Sequence, residues 1–211
     1  MEIFKLVFSP IQVNTYILAD EARKCAVIDC GCYTRHEFEK LTGFIEKKDL
    51  EPVLLLNTHC HLDHIFGNKL FLEKYKLGPY CHRNEDMNRR DALFHAQLFG
   101  LKMDIPPEPA GFLNDSQIIS FGSVKLKVLH VPGHASGSLA FYCEEDKVVF
   151  TGDALFAGSI GRTDLPGGDY DTLIQSIKSK LFVLPPSTIV YPGHGDSTTI
   201  ETEMKTNPYF K

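Results

Sequence analysis

Asn57-Thr58-His59-Cys60-His61-Leu62-Asp63-His64 follows directly on the apolar run Pro52-Val53-Leu54-Leu55-Leu56. A short continuous apolar run predicts a strand buried on both faces. The residues after it crowd His59, His61, Asp63 and His64 into six positions, and core packing has no use for such a set. Imidazoles and carboxylates are costly to bury unless something compensates them, and a metal ion is the strongest compensator. The cluster sits where a buried strand gives way to irregular backbone, a usual place for a site on a rigid scaffold. On a strand-like segment His59 and His61 point the same way and Cys60 faces away. Asp63 and His64, one turn on, close on a neighbouring point. That spacing suits two adjacent ions better than one, the first held mainly by nitrogen, the second by nitrogen and oxygen.

Composition sets the class around this cluster. A chain of 211 residues is enough for one large domain and too short for two comfortable ones, so residues 1–211 are expected to form a single domain. Hydrophobic content of 43% and charged content of 23% are those of an ordinary globular protein. With 22 Lys plus Arg against 27 Asp plus Glu, the formal charge of −5 points to neither nucleic acid nor an anionic membrane as partner. The first residues, Met-Glu-Ile-Phe-Lys-Leu-Val-Phe, do not read as a secretory leader. No run approaches the roughly 18 apolar residues of a membrane span. A cytoplasmic location is therefore expected. The sequence is silent on oligomeric state. Six cysteines, at 25, 30, 32, 60, 81 and 143, are read as reduced, mostly buried thiols, because a core of this size needs no staples.

Working outward, residues 2–8, 13–19 and 25–29 read as strands, and 35–48 as a helix with Phe38, Leu41, Phe44 and Ile45 on one face. A helix after the histidine cluster is expected to reach Lys76, stopped by Gly78-Pro79. Residues 84–100 read as helical, carrying Met87, Leu93, Phe94 and Phe99, and run into a proline-rich loop. Strands resume at 117–121, 124–129, 138–143, 147–151 and 188–191. Asp169 caps a helix with the stripe Tyr170, Leu173, Ile174, Ile177 and Leu181, and Thr198-Thr-Ile-Glu201 reads as the capping box of a last helix. Both halves run strands, helix, strand, histidine-bearing turn. This order implies an α/β fold, two mixed β-sheets packed face to face with helices outside: a four-layer αββα sandwich with its site at one sheet edge.

Three more strand ends offer ligands. Val131-Pro132-Gly133-His134 and Tyr191-Pro192-Gly193-His194 each project a histidine from a tight turn, and Thr151-Gly152-Asp153 ends a strand in a carboxylate able to bridge two cations. In order, His-x-His-x-Asp-His, Pro-Gly-His, Gly-Asp and Pro-Gly-His resemble the metallo-β-lactamase fold superfamily, specifically its glyoxalase II-like branch. The resemblance spans nearly the whole chain. It implies that His59, His61 and His134 hold a first metal, that Asp63, His64 and His194 hold a second, and that Asp153 bridges both. Zinc is the expected ion, with iron or manganese as alternatives, since imidazole and carboxylate do not choose sharply among them. Asp29 is read as structural, bonding nearby amides, and His36, His82, His95 and His130 as surface or packing residues.

Two divalent cations roughly 3.5–4 Å apart bring a bridging water to a pKa of about 7. Asp63 can accept a hydrogen bond from it and aim it. A thiolate is a good leaving group with affinity for zinc, so a small thioester such as S-lactoylglutathione is the expected substrate. The long glyoxalase II enzymes grip glutathione with a C-terminal helical domain beyond the last ligand, and recognition of glutathione through such a domain is not expected here. Residues 84–112, with Arg89-Arg90, are read either as a lid or as an outer helix and loop. Gly161-Arg162-Thr163-Asp164 resembles both the short hydrolases and the persulfide dioxygenases of the superfamily. Arg162 then either binds a substrate carboxylate or, as favoured, pairs with Asp164 as a buried guanidinium. The alternative activity is a mononuclear iron persulfide dioxygenase using His59, His134 and Asp153. Pro-Gly-His194 matches the hydrolases better, the dioxygenases having Pro-Ala-His there.

Overall fold

In the computed structural model, which describes residues 1–211, Glu2–Phe8 (β1), Val13–Ala19 (β2) and Lys24–Ile28 (β3) pair antiparallel. β2 is buried along its whole length, with Tyr16 and Leu18 facing one core and Ile17 and Ala19 the other. A helix, Arg35–Lys47 (α1), crosses over to Glu51–Leu56 (β4), which pairs parallel with β3. Thr34 and Glu37 form a full capping box at the start of α1, and Phe38, Leu41 and Ile45 bury against Val27 and Leu55.

β4 departs from expectation. Only Leu55 and Leu56 are buried, while Pro52, Val53 and Leu54 are half-buried. The next strand, Pro79–Cys81 (β5), pairs with Leu55 and Leu56 alone, so the first half of β4 has a neighbour on one side only. The single helix expected up to Lys76 is two, Leu62–Ile65 (α2) and Asn68–Tyr75 (α3), parted at Phe66-Gly67. The second ends on Lys76 at φ 60°, two residues before Gly78-Pro79. Asp86–Leu98 (α4) and Gly111–Phe112 (β6) complete a six-stranded mixed sheet, β1 to β6 in order.

The second sheet begins with Ile118–Phe121 (β7), Val124–His130 (β8), Leu139–Cys143 (β9) and Val148–Gly152 (β10), all antiparallel neighbours. A small ribbon, Leu155–Phe156 (β11) with Ser159–Ile160 (β12), follows. Asp169 caps Tyr170–Ser176 (α5), its carboxylate accepting from Thr172 N at 2.7 Å, and a π-helical turn over Ile177–Leu181 continues it. Ile189–Pro192 (β13) then joins β10 in parallel, and Thr198–Thr199 (β14) closes the sheet. The last helix, Ile200–Thr206 (α6), is capped by Thr199 rather than Thr198. Thr198 instead donates to Glu203, a buried carboxylate that also holds Gly158 N and Asn207, which moves the helix start by one residue.

Tyr16, Leu18, Ile28 and Leu56 of the first sheet meet Leu126, Val128, Phe141 and Phe150 of the second in one core. α1 and α3 cover the outer face of the first sheet, and α5 and α6 that of the second. The arrangement is the αββα sandwich. β3 and β4 run parallel, as do β10 and β13, and β8 shares the direction of β10 through two antiparallel steps. Asp29 and the turns bearing residues 57–64, 134, 153 and 194 all follow the C-terminal ends of these strands. No helix is long and apolar enough to cross a membrane.

Candidate metal centre

The seven side chains singled out by sequence meet at this edge. His59, His61 and His134 bring one nitrogen each within 4.8 Å of one another, as do the donor atoms of Asp63, His64 and His194, and of His59, His64 and Asp153. Asp153 Oδ1 lies 3.3 Å from His64 Nε2, while Oδ2 lies 3.6 Å from His194 Nε2 and 3.7 Å from His134 Nε2, so one carboxylate faces both triads. Asp63 Oδ2 is 3.1 Å from His194 Nε2. Gly193 makes the close approach feasible, because a Cβ there would stand 2.1 Å from Asp153 Oδ1 and 2.8 Å from His64 Cε1.

Four imidazoles are oriented from behind. His134 Nδ1 bonds Arg162 O at 2.8 Å, His194 Nδ1 bonds Gln12 O at 3.1 Å and His64 Nδ1 bonds Asp29 Oδ2 at 2.9 Å. Thr58 donates its hydroxyl to Asp29 at 2.6 Å, so the same oxygen accepts from His59 Nδ1 at 3.1 Å. A carbonyl or carboxylate acceptor forces the Nδ1–H tautomer, which aims the Nε2 lone pair at the centre. His59 Nε2 and His134 Nε2 consequently face each other at 3.2 Å. Two lone pairs at that distance repel unless a cation lies near both. His64 Nε2 and Asp153 Oδ1 are buried with no hydrogen-bond partner. These donors fit divalent cations, which accept imidazole nitrogen and carboxylate oxygen alike.

Electrostatics divides the cluster in two. Burial, with the neighbouring imidazoles, holds His59 well below the ordinary histidine value, and burial with His134 takes His61 down to about 3. Those rings stay neutral and able to ligate. Burial would also lower His64, but the carboxylates of Asp153, Asp63 and Asp29 outweigh it and raise the ring well above 6.5, so its Nε2 becomes a donor when a cation displaces the proton. Asp153 is held well below the usual carboxylate range against its own burial, chiefly by His64. One side thus presents imidazole nitrogen alone, the other nitrogen together with carboxylate oxygen.

Several sequence expectations need correction. Residues 57–60 are not strand, because pairing stops at Leu56; Cys60 nevertheless turns away, packing with Leu62, Ile65 and Cys81. Asp29 does bond a backbone amide, Thr58 N at 2.8 Å, and beyond that it orients His64. His95, expected at the surface or in packing, lines the cavity over the cluster. His82 and His130 stack on each other at 4.2 Å, away from it. Arg162 also borders the cavity and pairs with Asp164 at 2.6 and 2.7 Å, yet its side chain is 56% exposed rather than buried. All six cysteines are free and buried.

The cavity holds about 600 Å³. His61, Asp63, His134, Asp153 and His194 make its floor, and Ile11, Leu98, Phe99, Leu165 and Pro166 its apolar wall. α4 and the residue after it therefore roof one side, where Leu98 and Phe99 are 67% and 62% exposed.

Comparison with known proteins accords with this geometry. The chain is 37% identical over 211 residues to the hydroxyacylglutathione hydrolase GloC of Haemophilus influenzae, covering 99% of this chain and 98% of that one. The crystal structure of BLEG-1 B3 metallo-β-lactamase superposes with a TM-score of 0.92 at 33% identity, over 100% of both chains. That of TTHA1623 in a di-iron-bound form gives 0.89 at 38% identity, over 98% of this chain and 99% of that one. The sequence profile of the metallo-β-lactamase superfamily matches residues 9–194. The chain belongs to the metallo-β-lactamase superfamily.

Proposed function

We propose that the protein is a di-metal hydrolase of small thioesters, with S-lactoylglutathione as the first substrate to test. The observation that carries this reading is the convergence of two donor triads on Asp153. His59, His61 and His134 would hold one ion, Asp63, His64 and His194 the other, with Asp153 on both. When bound, such ions supply Lewis acidity and a hydroxide at neutral pH. Zinc is the first candidate, and the di-iron form of TTHA1623 keeps iron in view.

The chain's own residues do the rest. Asp29, Thr58 and the carbonyls of Gln12 and Arg162 keep the Nε2 lone pairs turned inward, so no reorganisation accompanies reaction. Asp63 stands on the cavity floor with a carboxylate oxygen free to accept a hydrogen bond from attacking water and hold it towards the carbonyl carbon. Ile11, Leu98, Phe99, Leu165 and Pro166 exclude bulk water and contact the non-reacting part of the substrate. The likeness to GloC supports a thioester over other acyl substrates. Pro-Gly-His194 favours the hydrolase reading over the dioxygenase alternative, since the dioxygenases have Pro-Ala-His there.

The test is release of free thiol from S-lactoylglutathione and from simple acyl thioesters by protein loaded with two ions. Oxygen uptake with glutathione persulfide and turnover of a chromogenic β-lactam serve as competing assays. Thiol release with neither competing activity is expected. Intact thioesters in the presence of fully loaded protein would reject the assignment.

A further inference from the structure

One buried carboxylate outside the donor set ties two of the ligand-bearing loops together. Glu85, fully buried, ends the short 3-10 turn Arg83–Glu85 ahead of α4. Its Oε2 accepts from Cys60 N at 2.7 Å and from Asn88 Nδ2 at 3.0 Å, and its Oε1 accepts from Gly137 N at 2.7 Å. Cys60 lies between His59 and His61, and Gly137 lies three residues after His134. No Lys, Arg or His forms an ion pair with this carboxylate. Its charge is met by N–H donors alone, and short bonds of this charge-assisted kind are strong and directional. Space is set for it too, since a Cβ at Gly137 would meet Glu85 Cγ and Oε1 at 2.8 Å.

We propose that Glu85 is a positioning residue for the first ion: its two oxygens bridge the loop carrying His59 and His61 to the loop carrying His134, and so fix the spacing of the three imidazoles. The two loops come from opposite sheets and are about as far apart in sequence as His59 and His134, 75 residues. The backbone tie nearest the trio on this side is Leu139 N to Thr58 O, one residue before His59. Without Glu85 nothing else bonds the amide of Cys60 or of Gly137. An apolar residue of similar volume would fill the space but leave both amides unsatisfied. Glutamine would keep the shape and turn its amide nitrogen onto one of two N–H groups, donor against donor.

The inference rests on the reading of His59, His61 and His134 as ion ligands, and Co2+ separates the two. Apoprotein is titrated with Co2+, followed by its visible absorption and by competition with a chelator. Outer-shell partners of this kind affect metal affinity about 10–100-fold. In Glu85→Gln the first Co2+ should bind about 10–100-fold more weakly, with an altered visible spectrum, while far-UV circular dichroism of the apoprotein is unchanged. A folded Glu85→Gln variant with wild-type Co2+ affinity and spectrum overturns the inference. Failure of the wild type to bind Co2+ at all overturns instead the metal reading. Should Glu85→Gln not fold, amide hydrogen exchange of the wild-type apoprotein decides. Cys60 and Gly137 amides protected together support the clamp, and exchange of either at the rate of an open loop rejects it.

Discussion

Asp29 and Asp153 are both carboxylates at strand ends, yet they act on different sides of the same imidazole. Asp153 faces His64 Nε2 and Asp29 holds His64 Nδ1. Asp153→Ala should therefore abolish tight binding of both ions, whereas His194→Ala should empty one site, both read by metal content after gel filtration. Two ions retained by Asp153→Ala would show that the bridge is misplaced. Asp29→Ala should keep the ligands but lower ion affinity by about 10–100-fold, measured against a chelator; unchanged affinity would reduce Asp29 to a loop anchor. The donors were legible because six residues held four of them. The role of Asp29 was not, since its partner depends on β3 lying beside β4 in the register Ile28 to Leu56. Arg162 shows the other limit, because sequence offered the pair with Asp164 but not its exposure. Hydrogen bonding from Arg162, then from the backbone, holds Asp164 at about 2, against 3.8 ordinarily. A depressed folded value means the contact is present above pH 3.8 and is lost as pH falls through about 2. The carboxyl 13C shift of Asp164 should titrate near that value, and a midpoint near 4 would mean the pair is absent in solution.

Among the elements, α4 is the one whose sequence misleads most. Met87, Phe94 and Phe99 look like core residues but are more than half exposed, while Asn88, Arg89, Ala92 and Ala96 face inward. The physical reason is close approach: the methyls of Ala92 and Ala96 take little room, and Ala92 meets the α2 side chains Leu62 and Ile65. Arg89 is paired with Asp86 and Glu108, and Asn88 donates a hydrogen bond to Glu85. Strands were far more legible, because Val124, Leu126 and Val128 against Lys125 and Lys127 can be satisfied only by a one-sided burial of β8. Of the outward side chains of α4 and the residue after it, Leu98 and Phe99 line the cavity wall. Leu98→Ser and Phe99→Ser should each raise KM for thioesters with bulky apolar groups by about 5–10-fold, since burying part of such a side chain against substrate is worth about 1 kcal/mol. kcat should change little, as for contacts equal in ground and transition states. Both positions are exposed, so stability should move by no more than about 0.5 kcal/mol. Equal KM values across acyl groups of different size, in wild type and variants, would refute a role for this wall.

For the molecule as a whole, the question is whether ions hold the sheets together or merely occupy a seam already closed. The first half supplies His59, His61, Asp63 and His64, the second His134, Asp153 and His194, and the shared order of elements made that division readable in advance. What sequence could not show is how the seam is bonded. Asn14 donates to Pro192 O and Gly195 O at 2.9 Å, Tyr16 donates to Pro192 O at 2.7 Å, and Asn14 N and Leu139 N reach Gly193 O and Thr58 O at 2.7 Å. These bonds join the sheets beside the donors without involving any of them, over a continuous apolar core. Removal of metal should accordingly leave the far-UV circular dichroism spectrum intact, unlike in small domains that fold only on their ion. Stability should still fall by mass action. An ion present at 100 times its Kd contributes about 2.7 kcal/mol. For a chain of 211 residues each kcal/mol moves Tm by about 2–4 °C. Chelation should lower Tm by about 5–10 °C per tightly bound ion, and re-addition of metal should restore it in proportion to the logarithm of concentration. A coil-like spectrum after chelation would mean that the seam is held by the ions and that the cross-sheet bonds do not suffice.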